Sequence, residues 1–481
     1  MTSKPLPTST PSSEGVAASG IVAFLDALEA HPAIEPHSLM IIRRGRLIAQ
    51  GWWAPFTPER LHHVYSVSKT FTVSALGFAI AEGLVGLDDL IIDHFPEFEA
   101  EITTPRARSL RIRHLAAMAS GHTQEMYAAA LEADPTEPVR GFLLQEPEEE
   151  PGSVFAYSQP CTYTIAAIIQ RVTGETLTEY LRPRLFAPLG IGDVAWQEYP
   201  AGRAVGFAGL HVPTEAIAKL GLLHLQDGLW EGEQVLPVGW ADEVRQRRVA
   251  TPGMDGPDWQ QGYGFQVWQA RHGYRGDGAF GQFCVILPEQ DMVIATTAAT
   301  YDMQAVLEAA WEHILPAVDA DASADAAATE ADDALATRLR ALALPPISAA
   351  SAPDEPEGWT GAFYLIGADE AQLRTVAIAS AEAGWQVALT DRTGRTLTVP
   401  VVGATWATVE SEGGLPPVAV TGGWIDPETL RVDISFIETP HRLTLEARRE
   451  SRRIVATWLT EPLLDPSNSG IFGLRAPIPT T

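Results

Sequence analysis

The feature that most constrains this chain is a change of patterning about two thirds of the way along it. Residues 317–336 contain ten alanines, six acidic residues and no basic residue, and a Ser/Ala/Pro stretch runs from Pro345-Pro346 to Pro356. This composition reads as a linker or exposed acidic segment, part of it able to form helix. Beyond it the apolar residues come in short alternating runs at 373–379, 385–389, 397–402, 418–421, 430–437, 443–447 and 454–459, separated by turns such as Asp391-Arg392-Thr393-Gly394. That spacing predicts a compact β domain, sandwich or barrel. Before the linker, helical and strand periods are mixed. The expected division is a mobile tail at 1–19, a first domain at 20–316, a linker at 317–357 and a β domain at 358–481.

Within the first domain, Ile21, Phe24, Leu25 and Leu28 fall at helical spacing. Residues 39–42, the turn 43–46 and residues 47–53 read as a hairpin. A mostly helical stretch follows over about 61–249. Strand signals return at 262–268, 280–287 and 292–297, with Pro288-Glu289-Gln290-Asp291 as a turn, and a helix is expected over 303–315.

Charge excludes one class of partner. The chain has 33 basic and 61 acidic residues, a net charge of −28, and such a surface repels polyphosphate, so nucleic-acid binding is not expected. Its two cysteines, Cys161 and Cys284, cannot build a disulfide framework, and no Cys/His cluster of zinc spacing occurs. The N-terminal residues lack the apolar run of a signal peptide. The most apolar helix candidate, 71–81, is about half the length a bilayer needs. A cytoplasmic protein without membrane contact is expected.

Lysine usage singles out one site. Only three of the 33 basic residues are lysines: Lys4, Lys69 and Lys219. Lys69 lies in the apolar run Val64-Tyr65-Ser66-Val67-Ser68-Lys69-Thr70-Phe71. Arginine does not deprotonate in proteins, whereas a desolvated lysine can become a neutral base. Ser66 stands three residues earlier, and on a helix that spacing brings hydroxyl and amine to one face. A serine beside a neutral amine is an activated nucleophile. By itself the spacing is also what a solvated helix produces by chance.

Two further segments bear on this. Tyr157, in Ala156-Tyr157-Ser158-Gln159-Pro160, precedes a helix striped by Ile165, Ile168, Ile169 and Val172 and ending at Thr173-Gly174. Alone, it reads as a core tyrosine with a satisfied hydroxyl. Arg275-Gly276-Asp277-Gly278-Ala279-Phe280-Gly281-Gln282 matches GxGxxG in form. It leads into a strand and turn, not the helix of a dinucleotide site.

Together and in this order, the three segments resemble the serine beta-lactamase-related hydrolases: class C beta-lactamases, D-alanyl-D-alanine peptidases and esterases of that fold. Gly83-Leu84-Val85-Gly86-Leu87-Asp88-Asp89, the run from Arg113 to His122, and Ala187-Pro188-Leu189-Gly190-Ile191 fit as well. The resemblance covers about 20–316. It implies an α/β (α+β) fold in which an antiparallel sheet is flanked by helices and carries an inserted helical lobe, with the active site between lobe and sheet.

The resemblance also implies roles. Ser66 is the acylated nucleophile, Lys69 its partner and Tyr157 the proton shuttle. The backbone N–H groups of Ser66 and Ala279 form the oxyanion hole. Gln159 replaces the family asparagine, and Gly276-Asp277-Gly278 stands where the family has Lys-Thr-Gly; these four are the expected substrate contacts. The missing lysine removes a cation that would hold a substrate carboxylate, unless Arg275 or His272 supplies one. Uncharged esters or amides are therefore expected, with weak beta-lactam hydrolysis and no metal or organic cofactor. An acyltransferase using the same acyl-enzyme is the alternative, and a non-catalytic binding protein of this fold the third. His62 and His63 read as solvated or core-satisfied histidines, His122 as a turn residue near the cleft and not a general base, Trp52 and Trp53 as covering the core, and Arg448, Arg449, Arg452 and Arg453 as solvated charges beside a strand. The residues are silent on oligomeric state.

Overall fold

The structure, a computed structural model, describes residues 5–319, 326–349, 358–367, 372–382, 384–410, 413–463 and 470. The first four residues of the expected tail, parts of the linker (320–325 and 350–357) and most of the C-terminal end of the expected β domain (464–469 and 471–481) lie outside the described residues.

A six-stranded antiparallel sheet organises the first domain. In chain order its strands are β1 (Glu35–Arg43), β2 (Arg46–Trp52), β3 (Trp268–Gln269), β4 (Tyr274–Gly278), β5 (Gln282–Leu287) and β6 (Met292–Ala299). They lie in the order β2-β1-β6-β5-β4-β3. Every residue of β1, β5 and β6 is buried, because both faces of the sheet are covered. That is why these strands read as apolar runs without polar alternation. Leu39, Ile41, Phe283, Val285 and Ile294 face the helices α1 (Ala18–Ala30) and α4 (Met303–Ala309). Met40, Ile42, Cys284, Ile286 and Val293 face the helical lobe. On that side α3 (Thr214–Leu225) comes so close that a Cβ on Gly221 would stand 2.6 Å from Val293 and 2.9 Å from Cys284.

The lobe is built around α2 (Ser68–Ala81), where Ser68 through Ala79 are all buried. A helix apolar on every side has to be central, and the other lobe elements wrap it.

From residue 5 on, the segment expected to be a mobile tail is instead packed. Leu6 is buried, and Leu47 N–H donates to Pro7 while Ser9 N–H donates to Leu47, at 2.8 and 3.0 Å. β2 is an edge strand with unpaired backbone groups, and the tail satisfies them. Part of the expected linker folds as α5 (Ala326–Arg340), which buries Leu335 and Leu339 against the same face as α1. The strand expected over 262–268 shrinks to β3, since positive φ at Gly262 (108°) and Gln266 (59°) breaks the extended path.

The C-terminal domain is a nine-stranded sheet: β7 (Gly361–Ile366), β8 (Leu373–Ala381), β9 (Gly384–Asp391), β10 (Thr396–Val401), β11 (Gly403–Val409), β12 (Val418–Asp426), β13 (Thr429–Phe436), β14 (His441–Arg448) and β15 (Arg453–Trp458). Their order is β10-β9-β8-β7-β15-β14-β13-β12-β11. Only the β7–β15 pair is parallel among these pairings. The two edge strands, β10 and β11, follow each other in sequence, so the sheet curls into a nearly closed form around an apolar core of Val376, Leu389, Val420, Ile434 and Leu445.

Candidate active site

Ser66 lies in a 3-10 turn, Tyr65–Val67, that feeds directly into α2. Lys69 occupies the first turn of that helix and is 1% exposed. The anticipated contact is present: Lys69 Nζ stands 2.8 Å from Ser66 Oγ. Its other two partners are the Gln159 Oε1 and the Phe207 carbonyl, each at 2.8 Å. Gln159, at the start of the helix Gln159–Thr173, therefore places its carbonyl oxygen on the amine, where the longer side chain had left the position open. Phe207 was not foreseen; a backbone carbonyl carries no residue-type signal.

Burial lowers the Lys69 amine to about 7, opposed by the carboxylates of Asp277 and Glu125. This decides the hydrogen-bond count. Both carbonyl oxygens only accept, so a neutral amine spends its two N–H bonds on them. Its lone pair is then left for the Ser66 hydroxyl.

Tyr157 completes the group. Its hydroxyl hydrogen-bonds Ser66, and burial, reinforced by the charge of Asp277, holds its pKa far above the ordinary phenol value. The ring stacks on Trp268 at 5.5 Å, meets Tyr263 edge-on, and has Lys69 Nζ 4.7 Å from its centroid. Trp268 and Tyr263 are sheet-side residues, so the tyrosine is fixed between lobe and sheet.

The strand β4 runs past the nucleophile. A Cβ on Gly278 would lie 2.2 Å from the Val64 carbonyl and 3.1 Å from Ser66 N, and one on Gly276 would lie 2.4 Å from Thr70 Oγ1. Gly276 and Gly278 are buried and are glycines because the nucleophile turn and α2 press against them. As side-chain positions they meet protein, not the open cleft expected of substrate contacts. Ala279, next along, is partly exposed and lies beside the Ser66 turn. Asp277 faces the other way and pairs with Arg275 at 3.1 Å; burial nonetheless pushes its carboxyl up.

Of the two cations suggested as a substitute for the missing lysine, Arg275 is committed elsewhere. Arg275 is fully buried, stacked over Trp259 at 4.5 Å, and donates to the Asp258 and Gln269 carbonyls. His272 packs on Trp311.

The histidines are structural, as expected. His62 and His63 are buried, His62 against His37 and His63 stacked between Tyr65 and His211. His122 Nδ1 meets Ser120 Oγ at 2.9 Å. Trp53 is buried. Arg449 and Arg452 are not simply solvated: Arg449 pairs with Glu428, and Arg452 donates to the carbonyls of Gly358, Thr360 and Ala362.

This constellation sits in a sequence that the family model described as Beta-lactamase matches over residues 23–318, more than half of the chain. The chain belongs to the Beta-lactamase family. It is 23% identical over 286 residues to the 6-aminohexanoate-dimer hydrolase of Paenarthrobacter ureafaciens, covering 55% of this chain and 73% of that protein. It is 26% identical to the lovastatin esterase of Penicillium rubens, covering 33% of this chain and 44% of that one. An uncharacterized Alkalihalophilus pseudofirmus protein, BpOF4_21049, is 23% identical over 42% of this chain and 61% of its own length. The chain thus spans less than two thirds of two of these three relatives.

Among solved structures, EstCE1, a hydrolase with promiscuous acyltransferase activity, superposes with a TM-score of 0.52 at 18% identity, covering 61% of this chain and 98% of its own. A Bacillus anthracis protein assigned as a 6-aminohexanoate-dimer hydrolase also gives 0.52, at 19% identity over 64% of this chain and 87% of its own. These likenesses establish the beta-lactamase/transpeptidase fold of the first domain. The family is one of hydrolases, and the relatives named here for an activity are hydrolases or esterases. Among the described residues no helix is long and apolar enough to cross a membrane.

Proposed function

We propose that this protein is a serine hydrolase that cleaves an uncharged small-molecule ester or amide through an acyl-enzyme. The observation that carries the reading is the 2.8 Å contact between Ser66 Oγ and an amine whose pKa burial has brought to about 7. Near neutral pH half of that amine is unprotonated, with its lone pair toward the hydroxyl.

In the acylation step Ser66 Oγ bonds to the substrate carbonyl carbon and its proton passes to Lys69. The carbonyl oxygen becomes an oxyanion held by the N–H groups of Ser66 and Ala279. Tyr157, whose raised pKa keeps it a phenol, gives its proton to the departing alcohol or amine as the carbon–leaving-group bond breaks, and is reprotonated by the Lys69 ammonium. Water then attacks the acyl-enzyme by the same route in reverse. No step calls for a metal or organic cofactor.

The cleft favours neutral substrates. The carboxylates acting on Lys69 are Glu125, exposed beside Gln159, and the buried Asp277, and Arg275 is committed to buried partners. A substrate carboxylate meets repulsion there, so beta-lactams and D-alanyl peptides are disfavoured. Acyl transfer to an alcohol or amine would use the same residues, and acceptor-dependent release of leaving group with formation of acylated acceptor would identify it.

The test is a panel of p-nitrophenyl esters, nitrocefin and D-amino-acid amides, assayed with wild type and Ser66→Ala. Turnover of short esters, abolished in Ser66→Ala, is the expected result. Undiminished turnover by Ser66→Ala would refute the reading.

A further inference from the structure

The β domain reaches the nucleophile. The turn joining β13 to β14 docks on the first domain beside Ser66: the Glu438 carbonyl accepts from His63 N–H at 2.8 Å, and the His441 ring packs against both Tyr65 and Phe280, whose own rings meet edge-on at 5.2 Å. His441 Nδ1 lies 2.9 Å from the Thr460 carbonyl, which only accepts, so that nitrogen carries the proton. Its Nε2 therefore accepts, and the Tyr65 hydroxyl donates to it at 2.6 Å. The same ring meets Tyr65 and Phe280 edge-on at 5.8 and 5.3 Å.

Tyr65 and Phe280 are not ordinary neighbours. Both hold a left-handed backbone conformation, φ 46° and 70°, that bulky side chains rarely adopt. Such strain persists only where surrounding contacts over-determine it. Each residue is also adjacent in sequence to one amide of the oxyanion hole proposed above. The Ser66 N–H belongs to the Tyr65–Ser66 peptide, so the backbone angles of Tyr65 aim it directly. Phe280 anchors the turn that carries Ala279.

We infer that His441, supplied by the β domain, is a positioning residue for the oxyanion hole: it holds the Tyr65 hydroxyl and the Tyr65 and Phe280 rings so that the Ser66 and Ala279 amides converge. The β domain is on this account part of the catalytic apparatus and not an appended module. The inference rests on the proposed hydrolase mechanism.

The experiment uses the full chain with p-nitrophenyl butyrate, and with a fluorophosphonate probe, whose reaction needs the same hole. His441→Ala should lower kcat at least tenfold with KM changed less than threefold, and slow fluorophosphonate labelling by a similar factor. His441→Gln, whose side-chain oxygen can accept from Tyr65, should recover most of the loss. Leu445→Ala, a destabilising change in the β-domain core on the same strand, should leave kcat within twofold while folded. Tyr65→Phe keeps the ring while removing the hydroxyl that donates to His441 and meets the Leu463 backbone, and should reduce kcat severalfold, which keeps the test open if His441→Ala does not fold.

Folded His441→Ala or Tyr65→Phe with wild-type kcat would overturn the inference, as would an equal loss in Leu445→Ala. Ser66→Ala separates the two levels. If it is inactive while the positioning variants are normal, only the positioning role fails; if it is active, the hydrolase mechanism itself fails.

Discussion

Replacing Lys69 by methionine should abolish turnover and, at neutral pH, make the protein more stable. The side chains are similar in length, but methionine has no proton to lose. The amine titrates at about 7 in the fold and at 10.5 when unperturbed. Each unit is worth about 1.4 kcal/mol, so burying this lysine costs about 5 kcal/mol at and below pH 7. The sign follows from the depressed folded value: the penalty is absent above pH 10.5, grows as pH falls, and is complete below about 7. Against it, methionine strands two acceptors, Gln159 Oε1 and the Phe207 carbonyl, at about 1 kcal/mol each. The variant should therefore exceed wild type by about 3 kcal/mol at pH 7 and match it near pH 9. Above pH 10.5 it should fall short by about 2 kcal/mol. Urea unfolding of the first domain, followed by tryptophan fluorescence at a series of pH values, measures the difference. A variant less stable than wild type at pH 6–7, or a difference independent of pH, would refute the assignment of a depressed lysine.

Other outcomes follow from the same geometry. Tyr157→Phe should lower kcat about 100-fold or more, since it removes the proton donor to the leaving group, with little change in KM; an unchanged kcat in steady-state assays would exclude the tyrosine from proton transfer. Gly276→Ala should destabilise the fold by about 1–3 kcal/mol, because its Cβ would stand 2.4 Å from Thr70 Oγ1, and thermal unfolding will show whether α2 yields without loss. Nitrocefin should be cleaved far more slowly than a short p-nitrophenyl ester; comparable kcat/KM values would mean that the acidic cleft does not discriminate against carboxylates.

Much of this site was legible in the chain because arginine had displaced lysine almost everywhere else. One lysine in an apolar run, three residues after a serine, stands out where composition supplies the contrast. The strands β1, β5 and β6 were equally plain from their apolar stretches at 39–42, 283–287 and 292–295. In the β domain β7 and β11 were missed: β7 buries only Phe363 among its six residues, and β11 buries none, so neither shows a clear apolar alternation.

What stayed hidden is of a different kind. The Phe207 carbonyl is backbone, and the contact of His441 with Tyr65 joins residues 376 positions apart. The glycines of β4 could be read as a lost substrate cation, but not as the clearance that α2 and the nucleophile turn demand. The N-terminal segment has the composition of a tail and is ordered by pairing with an edge strand that its own sequence does not announce.

The most direct test of the central claim is the pH dependence of fluorophosphonate labelling, with the modified residue located by peptide mass spectrometry. The label should sit on Ser66, at a rate that rises about tenfold per pH unit below 7 and levels off above it as the amine loses its proton. A label on another residue, or a rate still climbing steadily to pH 9 and beyond, would contradict it.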